Sequence, residues 1–198
     1  MIEFQNINKE EPYINLYEFY KLALNNNQDV IEAFLVSSYC EDKKESDARF
    51  VNLKFVNKNE FIFFSNYDSP KSKQFKNNNN IACVIYWSSI NLQIRMKGSI
   101  RKTNVQFNNK YFRNRSIDKN ALAHSSNQSM KISSYEKVIE NFENAKINKN
   151  LKECPSHWGG FSFVPYYFEF WEGNENRVNK RTVYKKDENI WKKYYLQP

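Results

Sequence analysis

Glycine is scarce in this chain: Gly98, Gly159, Gly160 and Gly173 are the only four among 198 residues. Neither a P-loop nor a GxGxxG turn can be assembled from them, and both of those devices cradle phosphate on a glycine-rich backbone. A nucleotide bound here must be held largely by side chains. Cysteine is as rare, with Cys40, Cys83 and Cys154 odd in number and far apart. With no secretory signal at the start of the chain, they read as reduced thiols of a cytoplasmic protein. No apolar run approaches the length of about 18 residues that spans a membrane as a helix. Histidine is limited to His124 and His157, and Cys154-x-x-His157 lacks the second ligand pair that zinc requires, so no metal is expected. A GxSxG nucleophile elbow is missing as well.

Aromatic residues are what the chain has in excess. They make up 17% of it (16 Phe, 13 Tyr, 4 Trp), which excludes disorder and favours a β-rich core, because rings pack well on pleated surfaces. The formal net charge is +8. That sign suits phosphate-bearing ligands, nucleic acid or an anionic surface, and composition does not choose among them. No linker, repeat or composition break divides the chain, so residues 1–198 are expected to form one domain. At this size a domain buries about 70% of its unfolded surface and needs neither disulfide nor metal for stability.

The apolar spacing predicts an amphipathic helix over 14–25. A β-branched and aromatic strand follows at 31–39. Over 49–56 the residues alternate, and Val51, Leu53 and Phe55 are expected to face the core. Asn57-Lys58-Asn59 reads as a turn on the tolerance of Asn for the left-handed region, with 61–65 as the hairpin partner. A short basic helix at 69–78, a buried strand at 81–87, a turn at 88–91 and a long strand at 92–102 come next. Two weaker helical segments, 104–115 and 121–128, precede a clearer helix running to about 147, where Ser133 and Glu136 have capping-box spacing. Strands are expected again at 160–171, 177–185 and 190–196. Many strands joined by short turns imply a mainly β fold, an antiparallel Greek-key barrel with peripheral helices. Basic residues mixed with aromatics on a barrel also suit single-stranded nucleic acid.

A series of short motifs carries a more specific message. Arg49 and Lys54 bracket one strand, FFSN stands at 63–66 and SPK at 69–71. NLQIRMKG follows at 91–98, YFRNR at 111–115, WGGF at 158–161 and FEFWEGNENRVNKR at 168–181, with Trp191, Leu196 and Pro198 closing the chain. In this order and with these gaps, the series resembles the pyridoxine/pyridoxamine 5'-phosphate oxidase family from about residue 11 to the end.

The resemblance implies a flavin mononucleotide (FMN) split barrel. Such an enzyme oxidises the 4' carbon of a phosphorylated vitamin B6 species, with dioxygen as acceptor. It also implies a homodimer, a small phosphorylated substrate, and neither a membrane nor a specific nucleic acid as partner. Arg49, Ser65 and Lys71 fall where the family grips the FMN phosphate and ribityl chain, and Phe50, Val51 and Phe64 line the same site. Gln93, Gln128, Ser129, Trp171 and Arg181 match flavin contacts, some of them reaching across a dimer interface. Lys54, Tyr111, Arg115 and Lys119 match the substrate-phosphate cluster, with Lys54 also among the cofactor-site residues. Arg177 and Asn179 match the pair placed over the substrate ring as catalytic residues.

Three positions depart from the family pattern. Pro70 stands where an arginine is usual and Lys119 where a serine is usual. Asn179 replaces a histidine, and an amide cannot take a charge near neutral pH. A divergent oxidoreductase with another phosphorylated substrate, or a basic split barrel without turnover, are the alternatives that these departures leave open. Arg177, Asn179 and Arg181 are expected to alternate along one strand and share a face.

Overall fold

A computed structural model describes residues 1–198. In chain order the elements are β1 (Glu3–Gln5), α1 (Glu11–Asn25), β2 (Ala33–Cys40), β3 (Glu45–Asn57), β4 (Glu60–Asn66) and α2 (Pro70–Asn77). They continue with β5 (Asn80–Trp87), a single 3-10 turn at Ser88–Ile90, β6 (Leu92–Lys102), α3 (Val105–Arg113), α4 (Ile117–Ser125) and α5 (Tyr135–Asn148). The chain ends with β7 (Trp158–Glu172), β8 (Lys180–Asp187) and β9 (Ile190–Leu196).

Six of these strands close into an antiparallel barrel in the order β3-β2-β5-β6-β7-β4, and β4 pairs back onto β3. β8 and β9 extend the sheet beyond β7, and β1 adds to β3 in parallel. This is the split-barrel architecture expected from the motifs. The short β1 has no counterpart in the sequence reading, since three residues carry too little periodicity to register.

The core is aromatic because inward positions of facing strands carry Phe. Phe34 meets Phe63 edge-on with centroids 5.6 Å apart, and Phe163 stacks on Phe61 at 5.1 Å. Helix α1 lays Tyr13, Leu16, Tyr20 and Ala23 onto this core. It starts at Glu11, three residues earlier than the apolar spacing indicates, because Pro12 fits the first turn, where its missing N–H is no loss.

Four local expectations are corrected. In β3 Leu53 and Val56, both at most 3% exposed, lie in the core with the half-buried Val51 packed against it, and Phe55 does not face it. The pairing with β4 slips between Leu53 and Phe55, and this bulge turns Phe55 outward onto Phe64 and Tyr111. In the β3–β4 turn the left-handed residue is Lys58 (φ 53°), not a neighbouring Asn. The N-cap of α5 is Ser134, whose Oγ accepts from the Lys137 amide at 3.2 Å, so the cap sits one residue beyond Ser133. Finally, β8 begins only at Lys180, which leaves Arg177 and Asn179 in a loop.

That loop has its own order. Arg177 takes φ 59°, its amide donates to Asn174 O, and Asn179 Oδ1 accepts from the Asn174 amide at 3.0 Å. Asn179 thus closes the turn in this chain, so the expected shared face of Arg177, Asn179 and Arg181 does not form.

Phe163 is fully buried and stacks on both Phe34 and Phe61. Phe163→Ala is expected to lower unfolding free energy by about 3–5 kcal/mol, the range for a truncated core phenylalanine. Urea denaturation of the ligand-free protein measures it.

Candidate active site

One face of the barrel, at β3 and β4, meets α3 and α4 across a second, smaller apolar cluster of Phe112, Ala123 and Trp158. Between them lies a cavity of about 620 Å³. Its walls are built by pairing: β4 runs antiparallel to β7 with Phe64 opposite Gly160, Ser65 opposite Gly159 and Asn66 opposite Trp158. Side chains cannot replace these glycines without displacement. A Cβ on Gly159 would lie 2.2 Å from the Tyr67 hydroxyl, and one on Gly160 would lie 2.5 Å from Thr103 Oγ1.

The cavity gathers eleven of the seventeen residues that the motifs nominate. Arg49, Phe50, Val51 and Lys54 come from β3, Phe64 and Ser65 from β4, and Lys71 from α2. Tyr111 comes from α3, Arg115 from the α3–α4 turn, Lys119 from α4 and Gln128 from the segment after it. Trp158 lines the cavity too and was not nominated, although the WGGF motif containing it was. Asn52, Asn66, Asn114, Ser116, Leu122, Ala123 and Ser126 are further lining residues that lay outside the nominated set. These are small polar or aliphatic residues spread over β3, β4, α4 and the turns beside it, and such residues carry no sequence signal of their own.

The lining holds five cations, Arg49, Lys54, Lys71, Arg115 and Lys119, and no carboxylate. They fall into two groups. In the first, Lys71 is 6% exposed, and its Nζ donates to neutral acceptors, Ser69 Oγ at 3.1 Å and Gln128 Oε1 at 3.0 Å. Ser65 Oγ donates to the same Gln128 oxygen at 3.2 Å. Arg49 lies close by, its Nη1 donating to Ser38 Oγ at 2.6 Å while Nη2 pairs with the half-exposed Asp47. Burial first, and then the charge of Arg49, push the Lys71 ammonium down to about 8.

In the second group the Arg115 guanidinium lies 4.2 Å from the Trp158 ring centroid, and its Nη2 donates to Lys119 O at 3.1 Å. Arg115 Nη1 is buried with no partner. Burial lowers its pKa, and Tyr111 and Cys154 work against that shift. Tyr111 stacks on Phe64 at 3.8 Å with nearly parallel rings, and Phe64 stacks in turn on Trp158 at 5.1 Å. Burial raises the Tyr111 hydroxyl above its usual pKa, so it stays protonated at neutral pH and can donate. Lys54 Nζ is 3.6 Å from Glu32 Oε1.

Six nominated residues do not line this cavity. Ser129, left-handed at φ 69°, directly follows Gln128. Gln93, Trp171 and Arg181 are direct cross-strand partners on β6, β7 and β8, so they form one row on a single face of the sheet. Arg177 and Asn179 sit in the loop at the end of that row.

A family model for the pyridoxine 5'-phosphate oxidase C-terminal dimerisation region matches residues 158–198. Pyridoxine/pyridoxamine 5'-phosphate oxidase 1 of Hydrogenovibrio crunogenus is 33% identical over 193 residues, covering 95% of this chain and 88% of that protein. The chain belongs to the pyridoxine/pyridoxamine 5'-phosphate oxidase family. It is an enzyme of that oxidase type. The oxidase of Colwellia psychrerythraea is likewise 33% identical, over 84% of this chain and 77% of its own length. Among solved structures, PhzG from Burkholderia lata, in complex with tetrahydrophenazine-1-carboxylic acid, superposes with a TM-score of 0.89 at 22% identity, covering 95% of this chain and 93% of its own. A pyridoxamine 5'-phosphate oxidase-related, FMN-binding protein of Nostoc punctiforme reaches 0.78 at 13% identity, covering 96% and 99%. At those identities the two structures establish the fold alone.

The depressed Lys71 pKa has a definite consequence for stability. Below about 8 the folded protein carries the full penalty of a buried ammonium. As the pH rises from there towards the ordinary lysine value of 10.5, the folded state binds fewer protons than the unfolded one, so this contribution to stability increases with pH. Lys71→Met is therefore expected to raise the melting temperature of the ligand-free protein at pH 7, with the gain shrinking by pH 10. Thermal scans across that range measure it.

Proposed function

We propose that this chain is an FMN-dependent oxidase converting pyridoxamine or pyridoxine 5'-phosphate to pyridoxal 5'-phosphate. The observation that carries the reading is a single cavity with two separate cation groups and no carboxylate in its lining. Two phosphorylated molecules, a cofactor and a substrate, are what such a cavity suits. The buried Lys71 bonded only to neutral partners and the unpaired Arg115 Nη1 both fit a phosphate that would complete them.

In this reading Arg49, Ser65 and Lys71 hold the FMN phosphate, and Phe50, Val51, Phe64 and Gln128 border the remainder of the cofactor. FMN held there would supply the two-electron acceptor for a hydride from the substrate 4' carbon, with dioxygen as the final acceptor and hydrogen peroxide as its product. Lys54, Tyr111, Arg115 and Lys119 grip the substrate phosphate, so that the ring is carried at a fixed distance from its anchor. Lys119 replaces a hydroxyl donor with a full charge, which strengthens the grip on a dianion. The stacked Tyr111, Phe64 and Trp158 rings wall off water at that end.

The row Gln93–Trp171–Arg181 and the loop bearing Arg177 and Asn179 belong to the same site by way of a homodimer. A two-fold axis brings the row of one protomer to the cavity of its partner, which is consistent with the dimerisation region matched at 158–198. A second reading, a related flavin oxidase for another phosphorylated ring, draws on Asn179, whose Oδ1 is engaged by the Asn174 amide. In that state its amide group is a turn clip and offers the substrate less than a histidine would.

Two measurements test these assignments. Arg49→Ala is expected to weaken FMN binding by about 1.5–3 kcal/mol, the span for a hydrogen bond to a charged group. Retention of parent affinity in a flavin fluorescence titration removes the phosphate from this place. Peroxide release with pyridoxamine 5'-phosphate should be slow in the parent, faster in Asn179→His and nearly absent in Arg177→Ala with FMN still bound. A flavin-loaded parent that is silent on both B6 phosphates, with Asn179→His silent too, favours the second reading.

A further inference from the structure

We propose that Glu169 is a positioning residue whose buried carboxylate fixes Arg181 and Arg95 on the outward face of the sheet, and thereby sets the contact that Arg181 makes with the cofactor across the dimer. The inference rests on the FMN reading above.

Glu169 lies on β7 two residues from Trp171, on the face shared with Gln93 and Arg181 and away from the aromatic core. It is nevertheless only 1% exposed. Its four strong bonds explain how a carboxylate is tolerated there. Oε1 accepts from Arg181 Nε at 2.9 Å and from Arg181 Nη2 at 2.7 Å. Oε2 accepts from Arg95 Nη1 at 2.9 Å and from the Tyr167 hydroxyl at 2.9 Å. Burial works to raise its pKa, but these four donors together hold it below the usual carboxylate value, so it is charged at neutral pH.

With its lone pairs taken, the carboxylate has nothing left to offer a ligand or a proton. What it does offer is orientation. Arg181 is gripped side-on through Nε and Nη2, and Nη1 donates to Gln197 O at 2.9 Å. Of the five N–H groups of its guanidinium, three are committed, and the remaining two point wherever that clamp aims them. Buried ion pairs of this kind contribute little net stability compared with apolar residues of the same shape. A clamp on an arginine that the motifs assign to the flavin is a better account of its presence.

The test uses the full-length dimer, with FMN as the probe. Glu169→Gln keeps the shape of the side chain but removes the charge. It is expected to leave far-UV circular dichroism and the dimer by light scattering unchanged, to weaken FMN binding about tenfold or more, and to alter the visible circular dichroism of bound flavin. Tyr167→Phe, which leaves both arginine contacts in place, should stay within about twofold of the parent. Parent affinity and parent flavin spectrum in Glu169→Gln overturn the inference, and so does a loss of affinity that only tracks a loss of dimer. If Glu169→Gln does not fold, the shorter Glu169→Asp is judged by the same two readouts. Arg181→Ala separates the two levels: unchanged FMN affinity there removes Arg181 from the cofactor and the inference with it. Weakened affinity in Arg181→Ala alongside an unaffected Glu169→Gln sinks the positioning role alone.

Discussion

The pairing of β4 with β7 is the constraint from which the rest follows. It closes the barrel, and in the same stroke sets Phe64, Ser65 and Asn66 against Gly160, Gly159 and Trp158. Two consecutive glycines at that seam let the Tyr67 hydroxyl and Thr103 approach the backbone, where a Cβ could not fit. Tyr67 then donates to Gly160 O and accepts from Asn108, which ties α3 to the seam. Because α3 is tied there, Tyr111 stacks on Phe64 and the turn that follows carries Arg115 over Trp158. The cavity is what remains between a closed barrel and a pair of helices anchored to its seam.

Electrostatics divides the molecule in the complementary way. The cavity lining collects five cations and no carboxylate, and only Arg49 and Lys54 have an acid beside them, Asp47 and Glu32; the remainder is a state that bound anions would relieve. The depressed Lys71 and the unpaired Arg115 nitrogen express that state locally. The outward face of β6–β8 is arranged oppositely, with Glu169 fully compensated by two arginines and a tyrosine. One region is open to a charged ligand; the other is satisfied internally, so its job is to hold shape.

Much of the fold was legible because the relevant signals are local. Period-two alternation over 92–102, the buried-strand character of 81–87 and the apolar spacing of α1 gave elements within a few residues of their observed ends. The failures have specific causes. The bulge at Leu53–Phe55 depends on how β4 pairs, so alternation alone aimed Phe55 inward. The loop before β8 is ordered by Asn179 capping the Asn174 amide, a bond between residues five apart that a strand reading of 177–185 overlooks. Trp158 became a site residue through tertiary contacts, with Phe64 stacked on its ring and Arg115 lying over it.

By itself, the sequence determined the kind of chemistry available. A scarcity of glycine left phosphate recognition to side chains, the order of the motifs carried the family, and the composition required an aromatic β core. Only the tertiary structure decided which of those residues meet. Eleven nominated residues converge in one cavity, while Gln93, Trp171 and Arg181 form a separate row on the sheet. The reason is physical. Residue type and local periodicity specify what a side chain can bond and which face of its own element it takes. Strand register, bulges and helix anchoring are set by contacts between segments remote in the chain, and those contacts fix the distances on which a site depends.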